Sequence, residues 1–369
     1  MSWKYFNPVK IVFGEGALSE LEGCLKGQRI LLVTDNHLSS SGLAGRVQDI
    51  LKDKEVILYD KIQPNPSSGS VNECGRLAGE GRAETVVGLG GGSCIDAAKA
   101  AALVARTGAR IEEFLGGARK IEGRGLPVVA VPTTAGTGSE VTPVAVITNE
   151  EKDRKQPLGS EYLFPDIAVV DPELTWSMPA AVTASTGMDA LSHGMEAYWS
   201  RNALPVTDTL AIACMVKVLR YLKRSVLNGN DREARREMSL ASLLGGMSFA
   251  LPKTAAVHAC SFPLTHIFGI PHGTACALTL VPFLEFNYDV MKEKMDYLFM
   301  CAGYGSLQEF SSVVASLQRE IGLPARLSEC GIGKEDIEKL ADESFHPNIL
   351  NNPREVSRKD LLGIYERLW

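Results

Sequence analysis

Short, nearly unbroken apolar runs alternate with amphipathic stretches through the first half of the chain. Ile30-Leu-Leu-Val-Thr34, Val56-Ile-Leu-Tyr59, Thr85-Val-Val-Gly-Leu89, Leu126-Pro-Val-Val-Ala-Val131 and Ile167-Ala-Val-Val170 are each of strand length. None alternates strictly between apolar and polar, so they predict strands buried on both faces, as in a parallel sheet. Residues 69–81 and 95–105 have helical period and lie between such runs, which predicts an open α/β domain. Residues 142–156 are less regular and predict a hairpin. After Pro179 the period changes and stays helical almost to the end, as in 211–222 and 232–245. The expected organisation is an α/β domain over 1–179 and an all-helical domain over 180–369. A cleft in such a pair is the natural place for a ligand.

Composition narrows the function classes. In 369 residues, 45 % hydrophobic and 22 % charged content belongs to a globular protein. A net charge of −6 argues against nucleic acid or an anionic membrane as the main partner. The eight cysteines are scattered without a C-x-x-C pair, which predicts reduced thiols and a cytoplasmic setting. No apolar leader opens the sequence, and no apolar run is long enough to span a bilayer. A soluble protein acting on a small molecule is the expectation.

Gly88-Leu-Gly90-Gly91-Gly92-Ser93 follows one predicted strand and opens the next predicted helix. Glycines let the backbone approach a pyrophosphate, and the helix start offers unpaired N–H groups and a positive dipole end. Asp96 and Lys99 fall in the first turns of that helix. The arrangement departs from the usual dinucleotide fingerprint, where the glycine loop follows the first strand and an acid comes about 20 residues later. Here Asp35 ends the first predicted strand and the glycine loop follows the third. A carboxylate beside an adenosine ribose accepts hydrogen bonds from its hydroxyls and repels a 2′-phosphate; a solvated strand-end Asp is the simpler alternative. Pro132-Thr133-Thr134-Ala-Gly-Thr137-Gly138-Ser139-Glu140 is a second polar loop that could cradle the rest of a cofactor, or be an ordinary Ser/Thr turn.

In the helical half, Asp189 and His193 are spaced i,i+4 and so share a helix face. His258 lies in Ala-Val-His258-Ala-Cys and His272 in Ile-Pro-His272-Gly. One carboxylate with three imidazoles suits Fe2+ or Zn2+. Spacing alone also allows a hydrogen-bonded Asp–His pair and a turn residue at His272.

These motifs, with Phe13-Gly14-x-Gly16, Pro64-Asn-Pro66, Gly187-Met-Asp-Ala-Leu-Ser-His193, Pro271-His-Gly273 and Asn352-Pro353-Arg354, resemble the iron-containing (group III) alcohol dehydrogenase family over essentially the whole chain. The resemblance implies a dehydroquinate synthase-like architecture: an N-terminal dinucleotide-binding domain with a parallel sheet, then an all-α domain. It implies NAD, one divalent metal (Fe2+ or Zn2+) and a homo-oligomer, a dimer. The family's metal ligands fall on Asp189, His193, His258 and His272. Its cofactor contacts fall on Asp35, Gly91, Gly92, Ser93, Asp96, Thr133, Thr134, Thr137, Thr142 and Lys155. Many members carry a further His four residues after the third ligand, near the nicotinamide; here that position is Phe262, and His266 follows only after Pro263.

The implied activity is oxidation of a small alcohol or reduction of its aldehyde, and no catalytic triad or nucleophilic Cys is needed. Cys94 and Cys260 are expected to be small packing residues. The segment from Lys253 to His272 is similar to a branch that includes phosphonoacetaldehyde reductases, so an aldehyde carrying an anionic group is the substrate expectation. Phe249, Lys253, Thr254, Phe262 and Asn348 are the candidate substrate contacts, with Arg354 a further helper. The competing expectations are a glycerol dehydrogenase-like polyol oxidase, a dehydroquinate synthase-like lyase, and an NAD-binding sensor.

Overall fold

The computed structural model describes residues 2–369, and the chain divides into two compact units. One holds Asn7–Thr134 and Ser139–Thr175. The other holds Trp176–Trp369 together with the residues up to Phe6 and the short segment Ala135–Gly138.

In the first unit the chain forms β1 (Lys10–Phe13), α1 (Leu21–Cys24), β2 (Arg29–Val33), α2 (Asn36–Ser40), α3 (Leu43–Ile50), β3 (Glu55–Tyr59), α4 (Ser68–Glu80), β4 (Thr85–Gly90), α5 (Gly92–Thr107) and β5 (Val128–Pro132). The antiparallel hairpin β6 (Val144–Asn149) and β7 (Arg154–Gly159) follows, then β8 (Ile167–Val170). Six strands make one parallel sheet in the order β1-β8-β5-β4-β2-β3. Every residue of β4 and β5 is buried. Leu31, Val33, Val86 and Val128 face the layer of α4 and α5, while Ile30, Leu32, Val87, Leu89 and Val129 face α1 and α3. Helices on both faces of the sheet are why these runs carry no polar alternation.

The apolar pattern did not announce β1. Its Lys10-Ile-Val-Phe13 is a four-residue edge strand whose burial never becomes complete, and it pairs only with β8. With β1 present, Asp35 follows the second strand and the glycine loop the fourth.

The connections place a switch point in this sheet. From β2 the chain moves outward to β3, then crosses back to β4 and continues the other way to β5. In open α/β sheets, ligands bind in the crevice beyond the carboxyl ends of the strands at such a reversal. Here that crevice lies between the ends of β2 and β4, which carry Asp35 and Gly90–Ser93 respectively.

The second unit is helical: α6 (Ala180–Trp199), α7 (Pro205–Leu227), α8 (Arg232–Phe249), α9 (Ala256–Phe268), α10 (His272–Ala302), α11 (Leu307–Glu320), α12 (Ile337–Glu343) and α13 (Arg358–Leu368). From Thr183 onward α6 is buried on all sides except at Thr186, which marks it as the central helix. Ala135–Gly138 packs onto this bundle so tightly that a Cβ at Gly138 would stand 2.4 Å from Gly246 Cα. Among the described residues no helix is long and apolar enough to cross a membrane.

Candidate active site

Helix α6 presents Asp189, His193 and Glu196 at i, i+4 and i+7, one stripe of a single face. His258 is in the first turn of α9, and His272 opens α10. The next residue, Gly273, makes the convergence possible. A Cβ there would lie 1.9 Å from Ser185 O, so any side chain would push the start of α10 off α6.

The polar atoms converge inside the bundle. His258 Nε2 lies 3.5 Å and His272 Nε2 3.6 Å from Asp189 Oδ1, and His193 Nδ1 lies 3.9 Å from Asp189 Oδ2. The Asp189, His193 and His258 side chains are almost fully buried, whereas the His272 side chain keeps 34 % of its exposure, so the cluster opens on that side. The His193 ring stacks on Phe249 at 4.1 Å between centroids and on His258 at 4.5 Å. Its Nδ1 also faces Gly136 O at 3.4 Å.

Behind His258 stands Glu196, wholly buried. Its two oxygens accept from Val257 N and from His258 Nδ1, both at 2.6 Å. A carboxylate oxygen accepts, so Nδ1 carries a proton, and in the neutral imidazole that a metal requires Nε2 is the nitrogen left with a lone pair. Asp189 Oδ1 and His258 Nε2 are both buried without a hydrogen-bond partner. With His258 neutral, two lone pairs face each other at 3.5 Å and call for a cation, a proton or a metal ion, between them, and leaving both unpaired costs several kcal/mol. The donor set therefore fits a divalent metal. Burial alone would raise the Asp189 carboxyl, but His193, His272 and His258 hold it well below the usual carboxylate range. Burial pushes His193 down to about 3, against the pull of Asp189, so its imidazole is neutral and able to ligate.

In the α/β unit, Gly90 has φ of 148° and leads into α5, with Gly91 as its N-cap. A Cβ on Gly90 would meet Cys94 Sγ at 2.6 Å, so this glycine serves the close strand–helix junction. Cys94 N and Ile95 N bond to Gly91 O at 3.1 and 3.2 Å, so the N–H groups of Gly92 and Ser93 ahead of them are the ones this helix start offers to phosphate oxygens. Ser93 Oγ accepts from Asn65 N at 3.2 Å. Asp35 caps α2, accepting from Leu38 N at 2.8 Å, and its other oxygen lies 3.7 Å from Cys94 Sγ. The acid and the glycine loop are thus adjacent. Asp96 and Lys99 instead form a buried lock. Lys99 Nζ donates to Ser139 Oγ at 2.7 Å, Val144 O at 2.8 Å and Thr142 Oγ1 at 3.4 Å, while Asp96 accepts from Val146 N at 2.9 Å and from Ser139 Oγ. Thr133 N donates to Gly90 O at 3.0 Å, and Thr134 flanks Gly91. Lys155 lies on β7 opposite Thr148.

Two family models cover the chain: iron-containing alcohol dehydrogenase over residues 8–172, and the C-terminal region of the same family over 183–369. The NAD-dependent methanol dehydrogenase of Bacillus methanolicus is 35 % identical over 98 % of this chain and 98 % of its own. The sulfoacetaldehyde reductase of Bilophila wadsworthia is 32 % identical over 99 % of both. The crystal structure of sulfoacetaldehyde reductase from Bifidobacterium kashiwanohense in complex with NAD+ superposes with a TM-score of 0.96. It is 38 % identical and covers 100 % of this chain and 99 % of that one. The chain belongs to the iron-containing alcohol dehydrogenase family.

This chain is accordingly an NAD-dependent oxidoreductase of the iron-containing family, acting on alcohols. Of the expected substrate contacts, Phe249 lies against His193, and Phe262 stacks on His272 at 6.3 Å and meets His346 edge-on at 4.6 Å. Asn348 Nδ2 donates to Thr254 Oγ1 at 2.7 Å, so those two come together. Lys253 is exposed, on left-handed backbone with φ of 64°. Arg354 is committed elsewhere: its guanidinium lies over the Phe286 ring at 4.1 Å and donates to Phe286 O at 3.0 Å. Burial pushes the Cys94 thiol up and that of Cys260 up to about 12, which suits packing residues rather than nucleophiles.

Two residues at the cluster lie outside the motifs. Glu196 continues the Asp189–His193 stripe by three residues, a spacing that could have found it. Cys276 lies one turn beyond His272, and its Sγ groups with Asp189, His258 and His272 so that four donor atoms fall within 4.8 Å of one another.

Proposed function

We propose that the dehydrogenase holds one Fe2+, or Zn2+ in its place, through Asp189, His193, His258 and His272, and binds NAD at the switch point between Asp35 and the Gly91–Gly92–Ser93 turn. The observation that carries the metal assignment is the pair of buried, partnerless atoms, Asp189 Oδ1 and His258 Nε2. When bound, the ion supplies Lewis acidity toward an alcohol or carbonyl oxygen, and NAD takes or returns the hydride. The chain's own residues do the rest. Glu196 keeps the proton on His258 Nδ1, so that Nε2 points to the ion as a ligand. Phe249 and Phe262 are apolar walls beside the ligands and strengthen the electrostatics there by excluding water. Phe262 offers no exchangeable proton at the position where many family members have a histidine.

The substrate in this reading is a short aldehyde with an anionic group, a phosphonate first among them. Lys253 supports it: an exposed ammonium five residues before His258, next to the Thr254–Asn348 pair. The two sulfoacetaldehyde reductases that match this chain from end to end are named for an aldehyde of the same charge type. The test measures kcat/KM for phosphonoacetaldehyde, sulfoacetaldehyde and a neutral aldehyde of similar size, with NADH, in the metal-loaded enzyme and in Lys253→Ala. Loss of an exposed charge-assisted contact should cost about tenfold for the anionic aldehydes and little for the neutral one. Equal activity on all three, or no effect of the substitution, rejects the anionic substrate.

A further inference from the structure

We infer that Cys276 is a thiolate ligand of the same metal, so that the site offers sulfur as well as nitrogen and oxygen. The inference rests on the metal site proposed above and adds a donor to it. His272 and Cys276 are i,i+4 on α10, hence on one face, and Cys276 Sγ lies 4.0 Å from His272 Nε2. With ligand bonds of about 2.0–2.3 Å, tetrahedral donors stand about 3.3–3.6 Å apart. The 3.5 and 3.6 Å from Asp189 Oδ1 to the two Nε2 atoms match that spacing, while the sulfur stands wider, 4.0 Å from His272 Nε2, with all four donor atoms within 4.8 Å of one another. Cys276 is wholly buried. The partnerless His258 Nε2 and Asp189 Oδ1 are aimed into the same small space, so the space is built for an ion and the thiol borders it. Binding would form the metal–sulfur bond at the expense of the S–H bond, with the proton released to solvent. His193 stands apart from this tight quartet. It reaches the cluster through the second oxygen of Asp189 and completes the donors from that side. A thiolate shifts preference toward softer ions such as zinc and cobalt and away from magnesium or manganese.

The full-length protein, stripped with chelator, is titrated with Co2+ while bound cobalt is counted and the absorption spectrum recorded. The expected result is one cobalt per chain with an intense near-ultraviolet band of thiolate-to-cobalt charge transfer. In Cys276→Ser the band should vanish while cobalt is still bound. One cobalt per chain without the band overturns the Cys276 ligand and leaves the metal site standing. A band that survives in Cys276→Ser also overturns it, because another thiol is then responsible. Failure to bind any cobalt overturns the metal site itself, and the ligand with it. Should the variant not fold, X-ray absorption of the zinc-loaded native enzyme decides the matter: a sulfur neighbour at about 2.3 Å is required, and a shell of nitrogen and oxygen alone refutes it.

Discussion

Replacing Glu196 by Gln changes one atom of the side chain but reverses the hydrogen-bond logic behind His258. In the native site both carboxylate oxygens accept, one from Val257 N and one from His258 Nδ1, each at 2.6 Å. An amide has one accepting end. With that end toward Val257 N, the NH2 group meets Nδ1, which must then accept, and the imidazole proton moves to Nε2 and points at the metal position. With the amide turned round, its NH2 group faces Val257 N–H, donor against donor. Either way a ligand lone pair or a buried hydrogen bond is lost, and His258 also loses the negative charge that makes it a stronger base. Charged hydrogen bonds of this kind are worth about 1.5–3 kcal/mol. Residues behind metal ligands typically change metal affinity by about 10- to 100-fold, which is about 1.4–2.7 kcal/mol. The two figures agree, so Glu196→Gln should weaken Zn2+ or Fe2+ by that factor in a competition titration against a chromophoric chelator. Thermal melting of the metal-free proteins is the control. A role confined to folding would lower the metal-free melting temperature and leave the affinity of the folded protein unchanged. A chelator curve superimposable on that of the native enzyme would refute the reasoning.

His272→Ala should strip most of the metal and activity while NADH binding, followed by fluorescence, survives; an active, metal-free variant would end the four-ligand assignment. Asp35→Ser keeps a capping oxygen for α2 but removes the charge, so the preference for NADH over NADPH in kcat/KM should fall by about tenfold or more. An unchanged ratio would detach Asp35 from cofactor choice. Burial pushes the Glu140 carboxyl up to about 7, with its own backbone N–H and Lys99 offsetting only part of the effect. Between its ordinary 4.5 and that value the folded chain holds a proton that the unfolded chain has released, so native stability falls as pH rises through the window. Glu140→Gln escapes that loss, and its melting advantage should grow from about pH 5 to pH 7 and then level off near 3 kcal/mol at most. A gap that does not vary with pH would contradict the burial argument.

The parts of the fold that were legible in the sequence are those where burial is continuous. β2, β4 and β5 have helices on both faces, so past the leading Arg29 and Thr85 their positions are apolar or glycine, and the runs stood out. The 142–156 hairpin was visible as an irregular alternation, matching half-buried strands of the burial pattern in β6. β1 was not, because an edge strand with one neighbour leaves little trace in four residues. At the site, the motifs led to Asp189, His193, His258 and His272, and the structure brings all four into one cluster. Glu196 was overlooked because a glutamate in a helix looks like surface, and only the partner at 2.6 Å shows otherwise. Gly138 had suggested a cofactor cradle, yet its missing Cβ is required by Gly246. Asp96 and Lys99 look like phosphate-loop residues from spacing, whereas their side chains are consumed in tying α5 to the β6 segment.

Because Ala135–Gly138 belongs to the helical unit while the chain on either side belongs to the sheet, neither unit is one continuous stretch of sequence. No single break in the gene separates them cleanly. A fragment beginning at Trp176 would carry Asp189, His193, His258 and His272 yet lack Gly136, whose carbonyl faces His193 Nδ1. A single crossover would therefore deliver a helical half without the carbonyl that faces His193, or an α/β half trailing four residues that have nothing to pack on.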